Sequence, residues 1–316
     1  MNKVVIAEGD NALDQILYEL EVKKTLRDIE HVFIKPNLRA AGITHYAKCS
    51  ITNPLIVKSL VERFLDWGKS VTIGECTSSR HITKLALENS GIKSLERDSV
   101  KVLNLNLCKT KTIKINGGVL KKVELPLHVA NSNFIVSLPV MKTHSQTLVT
   151  LSMKNMIGAT SRIMPSRIHY AGLNQSIVDI NTIIKPSLCI IDATRAMEGS
   201  GPVRGEEIVL NTLIGGYNPV SVDSIGATIM GFDPHAIEHI VLAEKAGIGK
   251  IKPDSIVGNI KMRYFKKPGE DGIKFIDLYS FKWFNMLMSN TIIHTFAYDY
   301  LYYFWKRIRR CKKINE

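Results

Sequence analysis

The chain has 316 residues, 45% of them hydrophobic and 22% charged, an ordinary balance for a globular protein able to bury a large core in one or two domains. Its five cysteines (Cys49, Cys76, Cys108, Cys189, Cys311) are widely spaced and include no Cys-x-x-Cys pair. That speaks against a disulfide framework, a zinc ribbon or an iron–sulfur cluster, and for a reducing, cytoplasmic setting. The formal net charge of +13 is uneven: residues 261–316 hold 12 Lys and Arg against 5 Asp and Glu, whereas residues 1–260 hold 30 against 24. A mildly basic body is therefore followed by a strongly basic extension.

Met1 to Ile6 run straight into a strand-like segment with no charged-then-apolar leader, so no signal peptide is expected. Four apolar runs then end on reactive or charged groups: His31–Asn37, Ser70–Cys76, Asn133–His144 and Ser187–Thr194. Between the first two, Asn53-Pro54 starts a helix, with Val57, Leu60, Val61, Phe64 and Leu65 on one stripe and Gly68 past its end. A helix around Thr83–Asn89 follows, stopped by Gly91. The alternation predicts βαβ units and a parallel sheet. Residues 100–125 read as short strands with a Gly117-Gly118 hairpin signal, an antiparallel edge or a small insert. Helical segments are expected at about 147–156, 175–184, 219–230 and 235–246, with a strand at Asn211–Tyr217. The fold class is α/β, with two interwoven lobes around mostly parallel sheets in residues 1–260 and an aromatic, basic, helical tail in 261–316.

Ligands of open parallel sheets bind beyond the carboxyl ends of the strands, which gives weight to the polar groups there. Lys35 and Asn37 flank Pro36, which holds Lys35 extended and lets the chain turn, so both can meet an anionic or carbonyl group. Lys142 and His144 are two apart in extended chain and project to one side, each lowering the other's proton affinity. His144 can act as acid, base or metal ligand. Lys154 near a helix end is equally well explained by compensation of the helix dipole. Asp192 closes an apolar run, and a loop carries Glu198 into Gly199-Ser200-Gly201-Pro202. Glycines there permit close backbone approach, and two carboxylates flanking such a loop can hold a divalent cation or move protons. The same pattern is also ordinary turn chemistry. Asp223, early in a helix, is a third carboxylate, with a dipole role as its default.

Several signatures are missing. There is no Gly-x-Gly-x-x-Gly, no P-loop, no Gly-x-Ser-x-Gly elbow and no His-Glu-x-x-His. Nucleic-acid binding is supported by charge alone, because aromatics and basics are blocked rather than interleaved.

Taken in order, IKPN (34–37), TNP with its helix and Gly68 (52–68), LPVMKTH (138–144), LSMKNMIG (151–158), IID to MEGSGP (190–202) and VSVDSIGATIMGFD (221–233) resemble the family called domain of unknown function 362. The resemblance runs over about residues 30–250. It places Lys35, Asn37, Lys142, His144, Lys154, Asn155, Asp192, Glu198, Gly199, Gly201 and Asp223 on the family's motif positions. Many members carry ferredoxin-type clusters. This chain lacks the Cys-rich insertion, so no iron–sulfur cluster is expected and a redox role is the weakest reading.

The expected function is binding or turnover of an anionic small molecule. Lys35, Asn37, Lys154, Asn155, Gly199 and Gly201 would contact it, and Lys142, His144, Asp192 and Glu198 would do chemistry. A divalent metal, if used, would take His144, Asp192, Glu198 and Asp223. The rival expectation comes from the tail: twelve of the 23 aromatic residues lie in Phe275–Trp305, and six basic residues follow in Lys306–Lys313. That order suits an amphipathic helix over 281–313 lying on an anionic membrane surface at the inner membrane face, non-catalytic and peripheral. It equally suits a helix packed on the body or on a second subunit of a homo-oligomer.

Overall fold

The computed structural model describes residues 2–42, 48–161, 168 and 171–269. The strands are β1 (Lys3–Glu8), β2 (His31–Pro36), β3 (Ser70–Glu75), β4 (Val100–Asn104), β5 (Thr110–Lys114), β6 (Lys122–Pro126), β7 (Ile135–Leu138), β8 (Val140–His144), β9 (Leu148–Thr150), β10 (Leu188–Glu198), β11 (Glu206–Gly216) and β12 (Ser255–Val257). The helices that matter here are α1 (Ala12–Glu19), α2 (Pro54–Asp66), α3 (Arg80–Asn89), α4 (Ser152–Asn155), α5 (Leu173–Asn181), α6 (Pro219–Ile229) and α7 (Glu238–Lys245).

Ten strands form one sheet along the path β12-β1-β11-β10-β7-β2-β3-β4, with β8 on β10 and β9 on β8, and β5 pairs with β6 in a sheet of two. Within the large sheet only β9 and β11 run against the others, so the mixed α/β fold with a largely parallel sheet is established. The central strands β2, β3 and β7 are buried along nearly their whole length because both faces are covered. Along β2, Val32 and Ile34 join one hydrophobic cluster with residues of α1, α2 and α3, while Phe33 joins the other with residues of α5, α6 and α7. In β10, Leu188 and Ile190 alternate with Cys189 and Ile191 in the same way.

Local signals hold where the chain is self-sufficient. Asn53 caps α2 by accepting from the Leu55 amide, with Pro54 in the first turn. Three expectations need correction. Residues 147–156 are not one helix: Leu148–Thr150 turn back as β9 against β8, and only the single turn α4 follows. The apolar run at Ser187–Thr194 lies in a strand that continues to Glu198, and the strand expected at Asn211–Tyr217 begins at Glu206, because the two pair antiparallel along their length. Residues 110–126 form a separate hairpin, while Val100–Asn104 is a parallel edge strand beside β3. Residues 261–269 return along the body, with Arg263 and Phe265 amides on the Ile229 and Met230 carbonyls and the Phe265 side chain buried. The tail expectation over 281–313 lies outside the described residues.

The order of strands places the site. From β2 the chain moves outward to β3 and β4, then returns to the far side of β2 as β7 and moves outward again to β10. β2 and β7 therefore flank a topological switch point, where connections diverge and leave a crevice. Lys35 ends β2 there, and β8, carrying Lys142 and His144, continues directly from β7.

Candidate functional site

At the switch point a polar network ties together residues 35–38, 50–52, 75–76, 137–142 and Asn155. Lys35 lies with its ammonium 2.7 Å from Oε1 of Glu75 at the end of β3, both side chains being almost fully buried. Glu75 also accepts from the Leu38 and Cys76 amides at 2.8 and 2.9 Å, so its carboxylate is fully engaged. Asn155 donates to the Lys35 carbonyl at 2.7 Å and to Ser137 Oγ at 3.1 Å, while its Oδ1 faces Lys35 and Asn37 at 3.5 Å. Asn37 accepts from Lys142 Nζ at 2.9 Å, and the same ammonium donates to the Ser50 carbonyl at 2.9 Å. Thr52 completes the frame, accepting from the Asn37 amide at 2.8 Å and donating to the Leu138 carbonyl at 2.7 Å.

Cations accumulate around this frame. Burial, together with the charges of Lys154 and Arg39, brings Lys142 down to about 7. Burial and Arg39 bring Lys154 down to about 7 as well. Some of the Lys154 side chain remains exposed, but the surroundings of its ammonium are close enough for burial to dominate. The Lys142 ammonium donates only to neutral oxygens, and Lys154 has no hydrogen-bond acceptor among the described residues. Glu75 raises Lys142 somewhat, but it is already paired with Lys35. His144 lies on the same strand as Lys142, buried, with Nδ1 accepting from the Gln146 amide at 3.1 Å. A neutral ring in this state carries its proton on Nε2.

The carboxylates expected to join this cluster stand elsewhere. Asp192 and Glu198 are not two sides of a loop. They lie on one strand, six residues and so about 20 Å apart at strand rise. Asp192 accepts from the Asn53 amide at 2.7 Å and from Thr194 N and Oγ1 at 3.0 and 2.6 Å, fixing the entry to α2; burial raises its carboxyl above the usual range. Glu198 accepts from the Lys266 amide at 2.9 Å, and the Lys266 ammonium is 3.6 Å away. The glycines belong to the same structural turn. Gly199 has φ +68° and donates to the Lys266 carbonyl, and a side chain at Gly201 would strike the Thr143 carbonyl.

Asp223 acts on a neighbouring helix rather than on its own. Its two oxygens accept from the Ser152 and Met153 amides at 2.7 and 2.9 Å, the open N-terminus of α4. Burial pushes it up to about 7, opposed by those amides. It therefore positions the turn that bears Lys154 and Asn155. Among the described residues no three His, Cys, Asp or Glu side chains come together to hold a metal ion, and His144, Asp192, Glu198 and Asp223 do not form the proposed set.

The structure thus brings together Lys35, Asn37, Lys142, Lys154 and Asn155, and assigns Asp192, Glu198, Gly199, Gly201 and Asp223 to bonds that hold the frame. Sequence reasoning missed Glu75 and Arg39 as site residues. Glu75 carried a signal, since it closes an apolar run at Ser70–Cys76. Arg39 carried none, and enters only because the fold brings its charge within reach of Lys142 and Lys154. A Cβ at Gly158 would lie 2.6 Å from both Glu75 Oε1 and Lys35 Cε. Its lack of a side chain lets the chain pass over the buried ion pair.

A family model described as "Domain of unknown function (DUF362)" matches residues 32–228. This chain belongs to that family. It is 23% identical over 225 residues, 69% of this chain and 68% of the other, to the "Thylakoid-associated protein sll1697" of Synechocystis sp.. Among solved structures it is similar to the lactate racemase apoprotein from Thermoanaerobacterium thermosaccharolyticum, with a TM-score of 0.45 and 12% identity over 70% of this chain and 56% of that one.

Proposed function

We propose that this chain binds an anionic small molecule, carrying phosphate or carboxylate, in the crevice between β2 and β7, with Lys142, Lys154 and Arg39 as its cationic wall. One observation carries this reading: two buried lysines, Lys142 and Lys154, are both lowered to about 7 with the charge of Arg39 acting on each, and the carboxylate that acts on Lys142 is already paired with Lys35. Crowded, desolvated cations are unfavourable by themselves and are relieved by an anion. A bound anion would raise both lysines and draw protons from solvent. A lysine poised near neutrality can also accept or release a proton at Nζ, which makes Lys142 the first choice for acid–base chemistry on the bound molecule, with His144 beside it. The reading requires no metal on Asp192, Glu198 or Asp223. Titration of the full chain with inorganic phosphate and with malonate by calorimetry tests it. Binding of either, weakened at least tenfold in Lys142→Met, is expected; binding unchanged in both Lys142→Met and Lys154→Met would refute it.

A second reading, peripheral attachment to an anionic membrane surface through residues 281–313, is supported by the aromatic-then-basic order of the tail and by the association in the Synechocystis relative's name. No helix among the described residues is long and apolar enough to cross a membrane. Flotation with phosphatidylglycerol vesicles should be lost on truncation after residue 274. Flotation retained by the truncated chain would remove the tail from this role.

A further inference from the structure

Residues 255–266 form a strap along one edge of the large sheet. Within that sheet β12 pairs with β1 alone, Ile256 beside Val4, so β12 is an edge strand. Gly258 still lies against β1, where a Cβ would strike the Ile6 carbonyl, and the Lys261 ammonium is 2.8 Å from Glu8 at the end of that strand. The Arg263 and Phe265 amides then donate to the Ile229 and Met230 carbonyls at the end of α6, and the Lys266 amide reaches Glu198. The strap is thus held to the body along its inner side.

Its outer side differs from the rest of the surface. Ile256, Ile260, Met262 and Tyr264 are 40, 40, 54 and 83% exposed, and they make up four of the nine large exposed hydrophobic side chains among the described residues. The other five stand singly, on α1, at the start of α2, after β4, between β5 and β6, and on β11. Single exposed hydrophobics are ordinary, whereas a row of them marks a contact surface. Chain geometry keeps Ile260, Met262 and Tyr264 within about 7 Å of one another in succession. Residues 255–267 also hold four Lys and Arg and no Asp or Glu, and all four of those basic residues are exposed. A second copy of this chain, itself at +13, meets such a border with repulsion. Aliphatic side chains give bases no ring to stack on, and Tyr264 is the one exposed aromatic of the row. Apolar groups interleaved with cations match the interface of an anionic bilayer.

We propose that the outer side of this strap is the part of the folded body that lies on an anionic bilayer, with Ile256, Ile260, Met262 and Tyr264 entering the interfacial layer and Arg263 meeting lipid phosphates. The inference deepens the membrane reading above and rests on it. That reading places contact in residues 281–313; the strap, which precedes them in the chain, adds a surface of fixed shape and so decides which side of the body faces the lipid.

The test uses the full chain and flotation with vesicles of phosphatidylglycerol and phosphatidylcholine. Ile260→Glu, Met262→Glu and Tyr264→Glu together should weaken vesicle binding about tenfold or more. Leu55→Glu, Leu107→Glu and Val209→Glu together add the same charge at exposed hydrophobics away from the strap, where salt screens it, and should leave binding within about twofold of the parent. Equal losses in the two triple variants would overturn the inference, because net charge alone would then set the affinity. Undiminished binding by the first variant would overturn it as well and leave the tail as the attachment. Amide exchange of the unsubstituted chain gives a second readout: vesicles should slow residues 256–264 and leave 105–109 unchanged, and no slowing at 256–264 in vesicle-bound chain refutes the strap. If the parent chain does not float, the membrane reading and the strap fall together. Single-stranded RNA bound by that parent and released by the first variant would then give the strap to nucleic acid.

Discussion

The carboxyl ends of β2, β3 and β8 and the second half of β10 with the turn that follows it carry similar residues but put them to different uses. At the first, Lys35, Asn37, Lys142 and Asn155 meet in one network with Glu75, and the charges of Lys154 and Arg39 act on the buried Lys142. At the second, Asp192, Glu198 and the Gly199–Gly201 turn each satisfy backbone amides or carbonyls of a neighbouring segment. A carboxylate satisfied by backbone amides and neighbouring side chains holds the chain; a buried cation acted on by like charges has free energy to give to a ligand.

The largest test of that contrast removes the one carboxylate inside the cationic network. Glu75→Ala leaves the buried Lys35 ammonium without its partner and is expected to destabilise the fold by about 3–5 kcal/mol, read from urea unfolding. Next comes the carboxylate that holds α4. Asp223→Ala strands two buried amides at a cost of about 2–4 kcal/mol, and should also weaken phosphate binding because Lys154 loses its support. If binding survives while stability falls, α4 does not position the crevice.

Smaller in stability but sharper for function, Lys142→Met removes a buried charge of low intrinsic affinity for protons, so it should cost little in folding while phosphate affinity falls about tenfold or more. pH extends the comparison. Lys142 and Lys154 titrate near 7 when folded and at the ordinary 10.5 when unfolded. Between those values the unfolded chain holds more protons, so these two residues make stability rise with pH over that window, whereas phosphate affinity falls as pH climbs through about 7. Denaturation at pH 7.5 and 9.5 should show the rise, and Lys142→Met should flatten it. The smallest effect belongs to Glu198→Gln, which keeps an acceptor for the Lys266 amide; its phosphate affinity should equal that of the parent chain. A clear loss there would bring the second region into the site.

Much of the scaffold was readable along the chain because its causes are local. Apolar runs mark strands covered on both faces, and Asn53-Pro54 with its stripe of Val57, Leu60, Val61 and Phe64 marks a capped helix. The lysines and asparagines of the crevice were readable too, as polar stops on those runs. The pairing of β8 with β9 was not, since Leu148–Thr150 looks helical until a neighbouring strand offers its backbone. Nor was the separation of Asp192 from Glu198, because whether residues after Asp192 turn or stay extended depends on β11, which supplies partners through Glu206.

The order of residues by itself determined the class of fold, the family and the cationic character of the strand ends, because periodicity, capping and charge are written in neighbouring positions. Only the tertiary structure decided which charges face each other: that Glu75 answers Lys35, that Asp223 serves α4, and that the charge of Arg39 acts on Lys142 and Lys154. Those choices depend on distances between segments far apart in the chain, and burial turns such distances into energies that no local pattern contains.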